Sequence, residues 1–356
     1  MQAFFTVTTR GLEAVSADEI AALPGVTVTR TSYRRITGVC AGPLDVMLTL
    51  RTVDDAFLDL ATWSDVGRPR SALAALRVRS AQLDLCDAAA TVNTLRLIGA
   101  PPTFSVTASF VGKRNYSYQE IKQAVAEGIE TSQNWVFQPD DRAADINIRI
   151  FIEHDEAFVG MRLSKAPLHE RPYKQAHHAG SLKPSVAAAL LFLAGAAPGI
   201  HLLDPFCGAG TILVEAALLG ADAQGGDYDP SAVAMTRLNA DTAGVPARVE
   251  RWDAQALPIA TASVDRVVSN LPWGRQVVVD TSLPTLYQRA CEEMERVLVP
   301  NGCIVLLTST AHLLKFSHLQ PTIQIEISLF GQTPMITVLS LPKSTPTSAY
   351  THSSIH

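Results

Sequence analysis

Hydrophobic and polar positions along the chain fall into two patterns that meet near residue 185. In the first, short strands and helices mix. Phe4–Thr8 is strand-like, Leu12–Leu23 is helical up to a Pro24-Gly25 stop, Val26–Val39 predicts two strands and Asp45–Thr52 a second helix. A further unit runs from Val53 to Arg162, with a helix near Ser71–Leu83, a strand over Phe104–Phe110, a helix over Tyr118–Ser132 and strands around Ile146–Ile152 and Ala157–Arg162. Ile146, Ile148 and Ile150 alternate at the spacing of a half-buried strand. Leu163–Pro184 has no apolar periodicity and carries prolines, basic residues and histidines, which predicts a linker crossing a surface.

From Ser185 the pattern alternates strictly. Helices are predicted at 185–195, 211–219, 230–242 and 283–298, and strands at 200–204, 223–227, 247–251, 264–269 and 302–308. Strands separated by helices of that length imply a parallel, doubly wound sheet. Two late strands, Thr322–Ser328 and Met335–Leu341, are spaced to close it as an antiparallel hairpin. The chain thus divides into 1–54, 55–162, a linker 163–184, a domain 185–342 and a Ser/Thr-rich tail 343–356 predicted to be disordered.

Composition narrows the class. Charged residues are 18% and apolar residues 47%, which rules out wholesale disorder in the 356-residue chain. The five cysteines are odd in number and form no Cys-x-x-Cys pair, so neither a disulfide framework nor a metal site is indicated. The longest apolar run, Val186–Ile200, is interrupted by Gly195, Pro198 and Gly199, and Met1–Gly11 lacks a secretory pattern, so a soluble cytoplasmic protein with no membrane partner is expected. Charge is balanced over residues 1–185, so the net −5 falls entirely in the second half.

The sharpest candidate chemistry is Asp204-Pro205-Phe206-Cys207-Gly208-Ala209-Gly210-Thr211, placed between an apolar strand and a helix. Such a turn lets backbone approach a ligand at the strand edge where doubly wound sheets bind nucleotides. A dinucleotide site would favour a third glycine where Leu213 stands. Asp227 ends the next strand, where a carboxylate accepts from both ribose hydroxyls, while Asp229 before Pro230 reads as a helix cap. Asp253 follows the third strand, either as an acceptor for an adenine amino group or as a surface aspartate.

Ser269-Asn270-Leu271-Pro272-Trp273-Gly274 follows the next strand. A side-chain amide oxygen and a backbone carbonyl before or at the proline can accept both hydrogens of a planar amino group. The nitrogen lone pair is then free to aim at an electrophilic methyl while Trp273 stacks on the base. No cysteine lies in this loop to serve as the nucleophile a pyrimidine-C5 methyltransferase needs.

Asp204–Thr211, Asp227, Asp253 and Asn270–Trp273 together resemble, in content and order, the class I S-adenosylmethionine-dependent amino methyltransferases. That family commonly has Pro-Pro after the Asn or Asp, so Leu271 is a departure. The Asn-Leu-Pro-aromatic-Gly form resembles the RNA guanine-N2 branch with an N-terminal THUMP domain. Phe104-Ser105-Val106, Lys113-Arg114 and Tyr116-Ser117-Tyr118 with the helix to Glu130 look like the core of a THUMP domain, a tRNA-binding module, over about 55–162. Thr8-Thr9-Arg10-Gly11-Leu12-Glu13 is similar to the ferredoxin-like segment that precedes it. Arg171-Pro172-Tyr173 and Ala179–Pro184 are similar to the stretch that the family places over the cofactor.

The resemblance implies a Rossmann-like class I methyltransferase domain with a mostly parallel seven-stranded sheet, preceded by α+β ferredoxin-like and THUMP domains. It implies a tRNA (guanine-N2-)-methyltransferase acting at position 6, with position 10 second. S-adenosylmethionine would be held by Asp204, Pro205, Phe206, Cys207, Gly208, Gly210, Thr211, Asp227, Tyr228, Asp253, Ala254 and Asn270, and the catalytic loop would be Asn270, Leu271, Pro272 and Trp273. RNA phosphates would meet Lys113, Arg114, Arg171, Lys174 and Lys183. Two other readings stay open: an amino methyltransferase acting on rRNA, DNA or a protein glutamine, and a non-catalytic tRNA-binding THUMP protein.

Overall fold

The structure, a computed structural model, describes residues 1–177, 180–273 and 282–342. The tail expected to be disordered, 343–356, lies outside the described residues. The chain forms two compact units. One comprises Met1–Gln175, Ser181–Phe192 and Ile327–Gln332, and the other Ala176–Gly180, Leu193–Glu326 and the residues from Thr333 on.

In the first unit, β1 (Gln2–Val7), β2 (Val26–Ser32), β3 (Arg35–Cys40), β4 (Asp55–Trp63), β5 (Thr103–Phe110), β6 (Val136–Phe137), β7 (Ile146–Glu153) and β8 (Glu156–Arg162) make one sheet in the order β2-β3-β1-β4-β8-β7-β5-β6. Helices α1 (Glu13–Ala21), α2 (Ala72–Ser80), α3 (Leu85–Asn93) and α4 (Tyr118–Ser132) complete it. The expected helix at Asp45–Thr52 is a 3-10 turn, Leu44–Thr49, because Pro43 and Leu50 on either side are extended. Ser117 caps α4 in a reciprocal box with Glu120.

The 54/55 boundary falls between elements of a single sheet, since β1 pairs antiparallel with β4. Phe4, Ile36, Leu58, Phe104, Ile146, Ile148 and Ile150 point to a core shared with Ile20, Leu76, Ile121 and Ile129. On the other sheet face Arg162 bonds Asp55 at 2.7 Å and Asp141 at 2.8 Å. Burial pushes the Asp55 carboxyl up to about 6 against the opposing pull of Arg162.

In the second unit, β9 (His201–Asp204), β10 (Asp222–Asp227), β11 (Arg248–Arg251), β12 (Val264–Asn270), β13 (Leu298–Thr308), β14 (Gln320–Glu326) and β15 (Met335–Ser340) form the seven-stranded sheet anticipated above, in the order β11-β10-β9-β12-β13-β15-β14. The first five are parallel, and β15 and β14 close the sheet antiparallel. The connecting helices are α6 (Thr211–Leu218), α7 (Pro230–Ala243) and α8 (Leu283–Val297), while α5 (Pro184–Ala194) belongs up to Phe192 to the first unit. Asp229 caps α7 by accepting from Ser231 N, with Pro230 at its first position and left-handed Gly244 at its end. The chain winds outward from β9 through β10 to β11 and then returns to β12, so strand order reverses between β9 and β12. Loops leaving the carboxyl ends of those two strands lie at the reversal, the place where open α/β sheets bind ligands.

Candidate active site

The turn after β9 and the turn after β12 both open at that reversal. Asp204 is 1% exposed, and its Oδ1 accepts from Phe206 N at 3.2 Å and from Ser269 Oγ at 2.6 Å. The two loops are therefore joined by one buried side-chain bond. Burial raises the Asp204 carboxyl to about 7, against the lowering effect of its bonds to Ser269 and Phe206.

A buried acid whose folded pKa lies above its unfolded value favours folding fully only below the unfolded value. Its contribution is lost as pH rises toward the folded value. Wild type relative to Asp204→Asn should accordingly lose stability between about pH 4 and pH 7, by at most on the order of 4 kcal/mol, and differ by a constant amount above. Denaturant titrations across that range would check it, and a pH-independent difference would remove the burial penalty from the account.

Gly208 and Gly210 adopt left-handed φ values of 53° and 76°, which sharpen the turn. At Gly210 a Cβ would stand 2.4 Å from Thr236 Cγ2. Thr236 Oγ1 donates to Gly208 O and Asn239 Nδ2 to Ala209 O, each at 2.8 Å, so α7 holds the loop carbonyls. Trp252 Nε1 donates to Pro205 O at 3.2 Å, and its ring packs where a Cβ on Gly226 would sit. Sequence reasoning passed over these three residues. The signal available for two of them was a pair of polar residues three apart on a buried helix face.

The edge beside this turn carries two carboxylates and an aromatic ring. Asp227 accepts from Gly208 N through Oδ2 at 2.9 Å and from Asp229 N through Oδ1 at 3.0 Å. Tyr228 is 58% exposed, with the Arg251 guanidinium 5.5 Å from its ring centroid and Arg251 Nε donating to its carbonyl at 3.0 Å. Asp253 is exposed and accepts from Gln255 N. A carboxylate, an aromatic face and a second carboxylate along one edge suit a diol, a purine and an exocyclic amine. Of the residues expected to touch a cofactor, Phe206, Gly208, Asp227, Tyr228, Asp253 and Asn270 reach the surface. Asp204, Pro205, Cys207, Gly210, Thr211 and Ala254 are buried. Burial raises the Cys207 thiol well above its ordinary value, which keeps it a small neutral packing group.

In the second loop Asn270 Oδ1 accepts from Trp273 Nε1 at 3.0 Å, which fixes the half-buried indole over the turn. Leu271, the departure from Pro-Pro, buries its side chain in the core cluster of Tyr287 and Met294 and donates its N–H to Leu307 O at 3.1 Å. Pro272 O accepts from Tyr287 Oη at 2.9 Å. Gly274 lies outside the described residues.

In the first unit, Lys113 is exposed. The other four basic residues expected at an RNA surface are engaged within the chain. Arg114 bonds the carbonyls of Val66, Gly67 and His154, Arg171 those of Leu168 and Arg51, and Lys174 that of Leu182. Lys183 pairs with Asp54 at 2.7 Å. Among the described residues no three His, Cys, Asp or Glu side chains group as metal ligands, and no helix is long and apolar enough to cross a membrane.

Comparison with known proteins finds relatives of both units. The THUMP domain family matches residues 83–162, and the RMKL-like methyltransferase domain family matches residues 171–327. A tRNA (guanine(6)-N2)-methyltransferase of Thermus thermophilus is 34% identical over 217 residues, which are 60% of this chain and 64% of that protein. The human U6 snRNA (guanine-N(2))-methyltransferase THUMPD2 is 31% identical over 206 residues, 57% of this chain and 39% of that protein. The matches thus span less than two thirds of either relative's length. The crystal structure of TrmN from Thermus thermophilus superposes with a TM-score of 0.79 at 28% identity, covering 96% of this chain and 100% of the other. The chain combines a THUMP domain with an RMKL-like methyltransferase domain of the class I fold.

Proposed function

We propose that the protein is a cytoplasmic S-adenosylmethionine-dependent tRNA (guanine-N2-)-methyltransferase that forms N2-methylguanosine at position 6, with position 10 as the second choice. The observation that carries this reading is the pairing of the two loops at the strand-order reversal. An amine-accepting Asn270 lies beside a nucleoside-suited edge, and Ser269 is bonded to Asp204 between them. The Thermus relative, named for guanosine 6 of tRNA, supports the position.

The residues present suit the cofactor: Asp227 for the ribose hydroxyls, Tyr228 for the adenine face and Asp253 for its amino group. When bound, S-adenosylmethionine would supply an electrophilic methyl on a sulfonium whose sulfur can take the S–C electron pair, and the proton lost by the amine would go to solvent. The chain's own part is orientation. Asn270 Oδ1 and a backbone carbonyl accept the two amino hydrogens and turn the lone pair toward the methyl, while Trp273 offers its ring to the guanine. A guanosine within an RNA helix must leave its stack to reach Asn270. Lys113, together with Arg114, Arg171, Lys174 and Lys183, is assigned to the RNA surface.

Transfer of labelled methyl to unmodified tRNA transcripts, followed by nucleoside mass spectrometry, tests the reading. N2-methylguanosine is expected. Its absence from tRNA with the cofactor bound would overturn the tRNA assignment in favour of another amino acceptor. U6 snRNA belongs in the same assay, because the human relative is named for guanine-N2 methylation of that RNA.

A further inference from the structure

Tyr287 lies on α8, 15 residues beyond the loop it touches, and is 1% exposed. Its hydroxyl has three neighbours: Pro272 O at 2.9 Å, Thr308 Oγ1 at 2.7 Å and Thr310 Oγ1 at 3.1 Å. A carbonyl only accepts, so the single phenolic proton is committed to Pro272 and both threonine hydroxyls donate to the phenol oxygen. Thr308 Oγ1 in turn accepts from Thr310 N at 3.1 Å. Burial raises the Tyr287 pKa, which keeps that proton in place.

Proline has no N–H, so the carbonyl is the one backbone hydrogen-bonding group through which Pro272 can be held. The preceding residue is held from the other side, by Leu271 N donating to Leu307 O. The peptide between these two anchors carries the Leu271 carbonyl.

We infer that Tyr287 is a positioning residue for methyl transfer: by holding the Pro272 carbonyl in the core it fixes the peptide whose Leu271 carbonyl stands with Asn270 Oδ1 as acceptor for the substrate amine. This rests on the proposed function. Leu271 is fitted to this role by its backbone, and its side chain, buried in the core, secures that backbone.

The test compares full-length Tyr287→Phe with Thr308→Val. The first removes the bond to Pro272, while the second removes a neighbouring donor and leaves that bond. Tyr287→Phe is expected to lower kcat by about 10- to 100-fold with KM for S-adenosylmethionine and RNA within about twofold, because small misplacements of reacting groups carry costs of that order. Thr308→Val should lower the melting temperature comparably yet keep kcat within about threefold of wild type, on the same argument. In NMR spectra, the Trp273 indole N–H, identified through Trp273→Phe, should shift in Tyr287→Phe and hold in Thr308→Val. An unmoved kcat and indole signal in Tyr287→Phe, or kcat falling in step with melting temperature in both variants, would overturn the inference. Wild-type transfer to RNA reports separately on the proposed function, and the indole signal reports on Tyr287 whatever the acceptor.

Discussion

Asn270→Ala is expected to lower kcat for methyl transfer by about 10³-fold while leaving S-adenosylmethionine affinity within about twofold, the size of effect that loss of one preorganised transition-state hydrogen bond produces. Asn270 ends β12, and among the described residues of the loop, 270–273, its Oδ1 is the one side-chain acceptor. An exocyclic guanine amine is a weak nucleophile because its lone pair is conjugated with the ring. Accepting both hydrogens is what turns that pair toward the methyl, and alanine leaves only the Leu271 carbonyl to do so. The substitution also frees the Trp273 indole from its 3.0 Å bond, so the surface that receives the base loses its support in the same step. The cofactor site proposed above is built on the loops after β9, β10 and β11, where the bonds of Asp227, Thr236, Asn239 and Trp252 do not involve Asn270. Single-turnover transfer and calorimetry on the same preparation separate the two quantities. Collapse of cofactor binding in Asn270→Ala would mean that the loop holds cofactor and not substrate. Asn270→Asp keeps an acceptor oxygen and is expected to retain measurable turnover.

The elements that announce themselves locally were legible in the sequence. Asp204–Thr211 is a strand-to-helix turn by glycine placement, Asp229-Pro230 is a cap by residue type, and Ile146, Ile148 and Ile150 mark one sheet face by alternation. What stayed hidden depends on partners far along the chain. Strand β4 carries Asp55 and Asp59 in the middle of a sheet, and carboxylates there read as surface residues until Arg162, 107 residues away, is seen bonded to Asp55. Helix α3 is only nine residues long, and the helical spacing of its buried Leu85, Ala88 and Val92 was passed over. Strand β13 begins at Leu298, ahead of the expected Gly302, because Leu298 already pairs with Val264, and after a register shift over residues 299–302 pairing with β12 resumes at Cys303 opposite Arg266. The site divides in the same way. Asp227 and Asn270 could be named from their positions at strand ends. Trp252, Thr236, Asn239 and Tyr287 act on those loops across 15 to 47 residues, and no local pattern marks a hydrogen bond to a distant carbonyl.

Asp227→Ala should produce the opposite division of effects. S-adenosylmethionine affinity is expected to fall by roughly 10- to 150-fold, or about 1.5–3 kcal/mol, the worth of hydrogen bonds to a charged acceptor. The carboxylate ties Gly208 N to one oxygen and Asp229 N to the other, so it fixes the glycine turn and the start of α7 while presenting its charge at the ribose edge. Alanine removes the ribose acceptor and the tie together, and some loss of melting temperature accompanies the loss of affinity. Asp227→Asn separates the two contributions: its amide oxygen can still accept from one of the two N–H groups, but the charge that strengthens bonds to hydroxyls is gone. Its affinity should lie between those of wild type and alanine. At saturating cofactor, kcat in both variants should return to near the wild-type value, because Asn270, Leu271 and Pro272 keep their own anchors on β13 and α8. Unchanged affinity by calorimetry would remove Asp227 from the cofactor site. A kcat that stays low at saturation would show that the glycine turn, through Asp204 and Ser269, sets the position of the catalytic loop as well as the nucleoside's.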